Sequence, residues 1–327
     1  MSANGVPTLS DVFRARRTIA PYLRPTPLHR YQGLCDLLAA EVYVKHENHQ
    51  PVGAFKVRGG INLVANLGAE ERRRGVIAAS TGNHGQSVAY GARTFGVDSY
   101  ICMPHGSNPG KVAAIRSFGA EIIFHGVDFD EALEHAARLA GDHGYRFIHS
   151  ANEPYLIAGV GTYGLEIVES LPEVEAILVP VGGGSGASGT CIAAKGVNPA
   201  VEVIGVQAEK APAAYLAWKG ADASGAKMET FAEGLATRVP FEMTQAIMRE
   251  MLDDFVVVSE DDIRRAIVTL LKTTHNLAEG AAASTLAAAL QLKERLKGRT
   301  VVLVMSGGNL SLEKLRGALV AAGEEDV

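Results

Sequence analysis

The sequence predicts an α/β protein built on open parallel or mixed sheets with helices on both faces. Three observations carry that prediction. Short apolar, β-rich runs alternate with helix-patterned stretches along the chain. The length of 327 residues suits two domains of about 150 residues each, each with its own core. Glycine supplies 36 of those residues, about 11% against a usual share of roughly 7%, and the densest glycine clusters directly follow apolar runs.

In chain order the strand candidates are EVYVKHE (41–47), GVIAAS (75–80), DSYICMP (98–104), EIIFH (121–125), RFIH (146–149), AILVPV (176–181), VEVIGVQ (201–207), DFVVVS (254–259) and TVVLVMS (300–306). Each is a short run rich in β-branched or aromatic residues, the pattern of a buried strand. Between them, GQSVAYGARTFG (85–96), NPGKVAAIRSFG (108–119), DEALEHAARLAG (130–141) and LSLEKLRGALVAAG (310–323) read as helices. The stretch HQPVGAFKVRGG (49–60) fits neither pattern, and Lys56 lies within it between glycine-bearing turns.

Composition excludes several classes of function. With 47% hydrophobic and 20% charged residues and a formal charge of −5, the chain is of the soluble globular kind and offers no basic surface for nucleic acid. Its three cysteines, Cys35, Cys102 and Cys191, are too far apart for a zinc knot and odd in number, so reduced buried thiols are expected. The start lacks the apolar run of a secretion signal, and no stretch approaches the roughly 18 apolar residues of a membrane span. A cytoplasmic protein with no membrane partner is expected.

In open α/β sheets ligands gather beyond the carboxyl ends of the strands, so the turns there are where chemistry is sought. Gly182, Gly183, Gly184, Ser185 and Gly186 follow AILVPV and precede a helix, an arrangement in which backbone N–H groups converge on an anion such as phosphate. Gly184, Gly186 and Gly189 also satisfy GxGxxG, with Glu209 about 20 residues on, so a nicotinamide-dependent oxidoreductase is a rival reading. Ser80, Thr81, Gly82, Asn83 and His84 open another helix and suit a carboxylate, although Ser, Thr and Asn are also ordinary capping residues. Ser306, in SGGN (306–309), offers a hydroxyl to a ring nitrogen, and Glu279 stands just before a helix.

A phosphate cradle, a carboxylate turn, a partner for a ring nitrogen and a lysine able to bond a carbonyl are the parts needed for pyridoxal phosphate acting on an amino acid. A dinucleotide has no use for such a lysine. The ordered stretches KHENHQPVGAFKVRGG, STGNHGQSVAYGAR, IAGVGTYGLEI, VPVGGGSGASG, AEGAAAS and VMSGGN resemble the serine/threonine dehydratases and serine racemases among the tryptophan-synthase-β-like, fold type II pyridoxal phosphate enzymes. The resemblance covers nearly the whole chain. The stretch STGNHGQSVAYGAR is also similar to the dehydratases of hydroxyectoine breakdown.

The resemblance implies a cofactor in an inter-domain cleft, a smaller domain at 50–148 bearing the substrate turn, and a larger one from 1–49 with 149–327. Lys56 would hold the cofactor covalently, Asn83 its 3′-hydroxyl, Gly182–Gly186 its phosphate and Ser306 its pyridine nitrogen. Phe55 and Glu279 would lie nearby, and Ser80–His84 would receive the substrate carboxylate. The implied reaction is β-elimination on L-threonine or L-serine to a 2-oxo acid and ammonia. Serine racemase and 3-hydroxyaspartate or hydroxyectoine-pathway dehydratase are the alternatives. A homodimer or homotetramer is implied.

Three departures from the family pattern stand out. Ser185 interrupts the glycine run. Thr81 stands where racemases carry a serine that protonates from the face opposite the lysine. The cation motif of some relatives, matched by Glu209 and Ala213, has Tyr215 in place of an aspartate, so no metal is assigned. The chain ends about twenty residues after SGGN, so no C-terminal regulatory domain is expected.

Overall fold

The computed structural model describes residues 5–323; expectations about the chain ends run beyond these and lie there outside the described residues. Ten strands follow in order: β1 (Leu28–Arg30), β2 (Glu41–His46), β3 (Val76–Ala79), β4 (Ser99–Met103), β5 (Glu121–Phe124), β6 (Arg146–Phe147), β7 (Ala176–Pro180), β8 (Glu202–Ala208), β9 (Asp254–Val258) and β10 (Thr300–Met305). The helices are α1 (Leu9–Ile19), α2 (Gln32–Leu38), α3 (Lys56–Ala65), α4 (Ala69–Arg74), α5 (Asn83–Thr94), α6 (Pro109–Ser117), α7 (Phe129–His143), α8 (Pro154–Ser170), α9 (Ser185–Val197), α10 (Ala213–Trp218), α11 (Glu242–Met251), α12 (Glu260–Thr274), α13 (Gly280–Gln291), α14 (Lys293–Leu296) and α15 (Leu312–Ala321).

Contacts gather the chain into two units. One joins the chain up to Arg24 with Lys56–Val160, and the other joins Pro25–Phe55 with the chain from Gly161 onward. The first holds a four-stranded parallel sheet in the order β5-β4-β3-β6. Successive strand residues face opposite sides, so Ile77, Ala79 and Cys102 pack against Ala132 and Ala136 of α7, while Ile101 turns the other way toward Gly85 of α5. Helices therefore cover both faces.

The second unit holds a six-stranded sheet, β1-β2-β10-β7-β8-β9, parallel except for β1. Val42, Val44, Leu178, Ile204, Val301 and Leu303 form one core with the alanine-rich α13, whose Ala282, Ala283 and Ala288 are fully buried. Small side chains there let the helix lie close against the sheet. On the other face α9 packs against β7 and β8. Among the described residues no helix is long and apolar enough to cross a membrane.

One sequence expectation changes. Lys56 opens a helix, α3, where the sequence showed no regular pattern. The glycines after Arg58 serve helix packing: a Cβ on Gly59 would lie 2.7 Å from Leu156, one on Gly60 would overlap Ser87, and one on Gly91 would lie 2.8 Å from the Gly60 carbonyl. They admit α5 and α8 close to α3 and so outweigh glycine's poor helix propensity.

Candidate active site

In the first unit the turn after β3 leads directly into α5. The Ser80 hydroxyl oxygen accepts hydrogen bonds from the amides of Gly82 (3.1 Å) and Gly85 (2.9 Å), capping the helix. Both lone pairs are then engaged, and the hydroxyl proton remains the part Ser80 can offer an anion. Thr81, Gly82 and Asn83 follow it into the helix start, and a Cβ on Gly82 would meet nothing within 4 Å. The helix N-terminus favours negative charge.

His84 is buried, and its Nε2 lies 3.2 Å from the Ile148 carbonyl, which places the imidazole proton on Nε2. Its Nδ1 is buried without a hydrogen-bond partner. Burial, then the nearby Lys56 charge, pushes its pKa down to about 3, so the ring stays neutral. With no proton on Nδ1, any carboxylate contact at position 84 falls to its main-chain amide.

Lys56 Nζ donates to the main-chain carbonyl of Ser150 at 2.9 Å. Part of the side chain reaches solvent, yet the surroundings of the ammonium are dense enough that burial pulls its pKa from 10.5 down to about 8. A lysine in this range carries a useful fraction of neutral amine near physiological pH.

In the second unit β7 runs through Val181 into the glycine loop, and α9 begins at Ser185. Gly184 has φ +88°, in the left-handed region, and a Cβ there would lie 2.9 Å from both Met248 and Thr244. A Cβ on Gly182 would overlap the Gly234 carbonyl. Thr244 Oγ1 donates to the Gly183 carbonyl at 2.7 Å. Tyr163 donates to the Gly186 carbonyl at 3.0 Å, and the Phe55 ring meets the Tyr163 ring edge-on at 5.9 Å. The chain here keeps side chains out of a strand–loop–helix cradle at the start of a 13-residue helix. That cradle fits a phosphate dianion.

Ser306 follows β10, is buried, and accepts the Phe55 amide on its carbonyl at 2.9 Å. Glu279 caps α13 next to it: its amide donates to the Gly307 carbonyl at 3.0 Å, and a Cβ on Gly307 would lie 2.8 Å from the Glu279 carboxylate. Tyr215 packs edge-on against Phe255 at 5.7 Å and supplies no carboxylate to the cation motif. Among the described residues no group of three His, Cys, Asp or Glu could hold a metal. All three cysteines are buried and unbridged, and burial pushes the Cys102 and Cys191 thiols up to about 11 and about 12.

Several residues now placed around these features carried no signal that isolated them in the sequence. Tyr163 lies within IAGVGTYGLEI, yet only the fold shows its hydroxyl fixing the glycine loop. Thr244 is 61 residues from Gly183 in the chain, and Ser150 acts through its carbonyl, which side-chain identity does not reveal.

A family model described as "Pyridoxal-phosphate dependent enzyme" matches residues 19–307. The L-threonine ammonia-lyase of Thermotoga maritima is 42% identical over 309 residues, covering 94% of this chain and 77% of that protein. The processed form of threonine deaminase isoform 2 from Solanum lycopersicum superposes with a TM-score of 0.90 at 32% identity, covering 96% of this chain and 94% of that one. Serine racemase from Dictyostelium discoideum gives a TM-score of 0.87 at 33% identity over 94% of this chain and 99% of that one.

Proposed function

Because the chain belongs to the pyridoxal-phosphate dependent enzymes, we propose that it is a dehydratase converting a β-hydroxy amino acid, L-threonine or L-serine, to a 2-oxo acid and ammonia. The observation that carries this reading is Lys56, whose amine is held by a main-chain carbonyl and whose pKa burial lowers to about 8, in the same unit as a helix start whose amides suit a carboxylate.

Each residue then has a defined task. The amides at the start of α5, with the Ser80 proton, hold the substrate carboxylate, and Asn83 orients the cofactor's 3′-hydroxyl. The amides of Gly182–Gly186 hold the phosphate, and the Ser306 hydroxyl meets the pyridine nitrogen as a neutral partner. Phe55 and Glu279 line the neighbourhood of these groups. When bound, pyridoxal phosphate supplies a conjugated ring able to take up an electron pair. Lys56 Nζ, once neutral, would take up the Cα proton, the β-hydroxyl would gain a proton and leave as water, and hydrolysis of the remaining enamine would give the 2-oxo acid and ammonia. A neutral serine does not hold the ring nitrogen protonated by charge, which favours prompt departure of the hydroxyl over transamination.

Thr81 in place of the serine that racemases use in this turn weakens racemisation, which stays the alternative reading through the hydroxyl that threonine retains. The division into a smaller domain at 50–148 and a larger one from 1–49 with 149–327 is part of this proposal; contact grouping draws the edges at Arg24, Lys56 and Val160. A cytoplasmic homodimer or homotetramer is also proposed, for which light scattering gives the test.

The deciding experiment is ammonia release from L-threonine, L-serine, the 3-hydroxyaspartates and hydroxyectoine-derived amino acids, by the wild type and by Lys56→Ala. Borohydride reduction followed by peptide mass spectrometry should find the cofactor on Lys56. Turnover by the alanine variant at the wild-type rate would overturn the assignment.

A further inference from the structure

The loop between β6 and α8 is more tightly tied than its position at a sheet edge requires. Arg146 and Glu153 pair through two bonds of 2.9 and 2.8 Å, and the His149 amide lies 3.3 Å from the same carboxylate. His149 Nδ1 accepts from the amides of Ala151 at 3.0 Å and Asn152 at 2.9 Å, so this ring also carries its proton on Nε2. The Glu153 amide closes back on the Ala151 carbonyl at 2.8 Å. From α5, His84 Nε2 donates to the Ile148 carbonyl at 3.2 Å. The Ser150 carbonyl, flanked on both sides by these bonds, receives the Lys56 ammonium.

We propose that this loop is a docking station for the ε-amine of Lys56 whenever the lysine is not bonded to the cofactor, with His149 as the positioning residue that aims the Ser150 carbonyl at Nζ. The inference rests on Lys56 being the cofactor lysine. In such a reaction the lysine is released when substrate binds and must later return, and a free four-carbon chain otherwise wanders over many rotamers. The Ser150 carbonyl is a fixed acceptor that holds the amine in place while it gains and loses a proton.

The charged and titratable groups around the lysine are consistent with this role. His84 from α5 and His149 from the loop are both held below their usual pKa, by burial first and by the Lys56 charge next, so neither adds a second positive charge beside the ammonium. The Glu153 carboxylate is engaged by Arg146. The main-chain carbonyl of Ser150 is a neutral acceptor that favours the charged amine, against the burial that disfavours it.

The amides of Ala151 and Asn152 lie two and three residues after His149, the reach at which an asparagine side chain accepts in an Asx turn. His149→Asn should keep the loop, whereas His149→Phe keeps a ring and removes the acceptor. In the full chain freed of cofactor, acylation of Lys56 is followed against pH by peptide mass spectrometry. The wild type should titrate near pH 8. The phenylalanine protein should titrate about one pH unit lower, because the carbonyl no longer stabilises the ammonium, and the asparagine protein should return to the wild-type midpoint.

If the phenylalanine protein does not fold, His149→Ala takes its place in the comparison. Equal midpoints in all folded proteins, or an asparagine protein displaced as far as the phenylalanine one, would overturn the proposal. The borohydride experiment separately reports whether Lys56 bears the cofactor, so failure of the docking station and failure of the lysine assignment give different results.

Discussion

The Ser87 hydroxyl, on α5, donates to the main-chain carbonyl of Lys56, the first residue of α3, at 2.6 Å. The helix carrying the substrate turn thus grips the lysine's own backbone, and the grip depends on how closely the two helices approach. A Cβ on Gly60 would overlap Ser87.

Gly60→Ala should therefore destabilise the protein by about 1–3 kcal/mol, as overpacking does, and lower activity more than its loss of stability explains. Gly141, exposed within α7, provides the contrast, because an added methyl there would meet nothing within 4 Å. Gly141→Ala should gain up to about 1 kcal/mol from helix propensity alone. Urea unfolding of both variants checks the pair.

Acid stability follows from two buried imidazoles. Burial pushes His84 down to about 3 and His46 down to about 4, both from 6.5. The unfolded chain binds more protons than the folded one between these values and pH 6.5, so stability should fall as the pH drops through that window. The loss should be on the order of a few kcal/mol, and His84→Gln should flatten the slope of unfolding free energy against pH between about 3 and 6.5.

The lysine works in the alkaline range. With a folded pKa of about 8 against 10.5 unfolded, Lys56 opposes folding fully below pH 8, and that cost is relieved as pH rises toward 10.5. Neutral amine accumulates across pH 8, so in the cofactor-free chain the capture of pyridoxal phosphate by Lys56 should quicken with a midpoint nearer 8 than 10.5. A pH profile from 6 to 10 tests this.

Gly184→Ala places a Cβ at φ +88° and 2.9 Å from Met248 and Thr244. The cradle must then open, and affinity for pyridoxal phosphate should drop at least about tenfold by absorbance titration, consistent with a strain of about 1–3 kcal/mol. Inorganic phosphate should bind more weakly in parallel if the loop amides hold the anion.

Away from the site, Lys45 and Glu166 form a buried pair at 2.5 Å, with Lys45 also donating to the Thr26 carbonyl at 2.8 Å. Glu166→Ala removes this carboxylate from the buried ammonium and should cost about 3–5 kcal/mol, whereas Lys45→Met with Glu166→Leu should recover most of the loss. Thermal melts of the single and double variants decide it.

The strands were legible in the sequence because buried parallel strands write themselves as apolar runs, and nine of the ten fall on such a run. β1 did not show: Leu28–Arg30 is a three-residue antiparallel edge strand with two exposed side chains, so it carries no apolar pattern. RFIH promised four residues of strand, but the strand ends at Phe147; the Ile148 amide makes a last bond to the Ile77 carbonyl at 2.8 Å, and His149 turns its ring back onto the amides that follow. α3 was hidden for the opposite reason, since Gly59 and Gly60 depress local helix propensity at the places where neighbouring helices come closest. The glycine loop, the serine turn and Lys56 stood out by residue type, whereas Ser150 and Thr244 join them only through bonds made by the folded chain.

The segment ending at Phe55 is stitched to the turn after β10. Phe55 N–H reaches Ser306, Gly308 N–H reaches Gly53, both at 2.9 Å, Ala54 bridges Gly307, and the Asn309 amide donates to Val52 at 2.8 Å. Residues 54 and 307 stand 253 positions apart, so this short ladder closes one of the longest loops the chain can make. Loop closure of that order is among the last steps on a folding route. Because β2 and β10 pair across 259 positions, the residue pairing beside Ser306 should gain hydrogen-exchange protection together with the β2–β10 pairs of the six-stranded sheet.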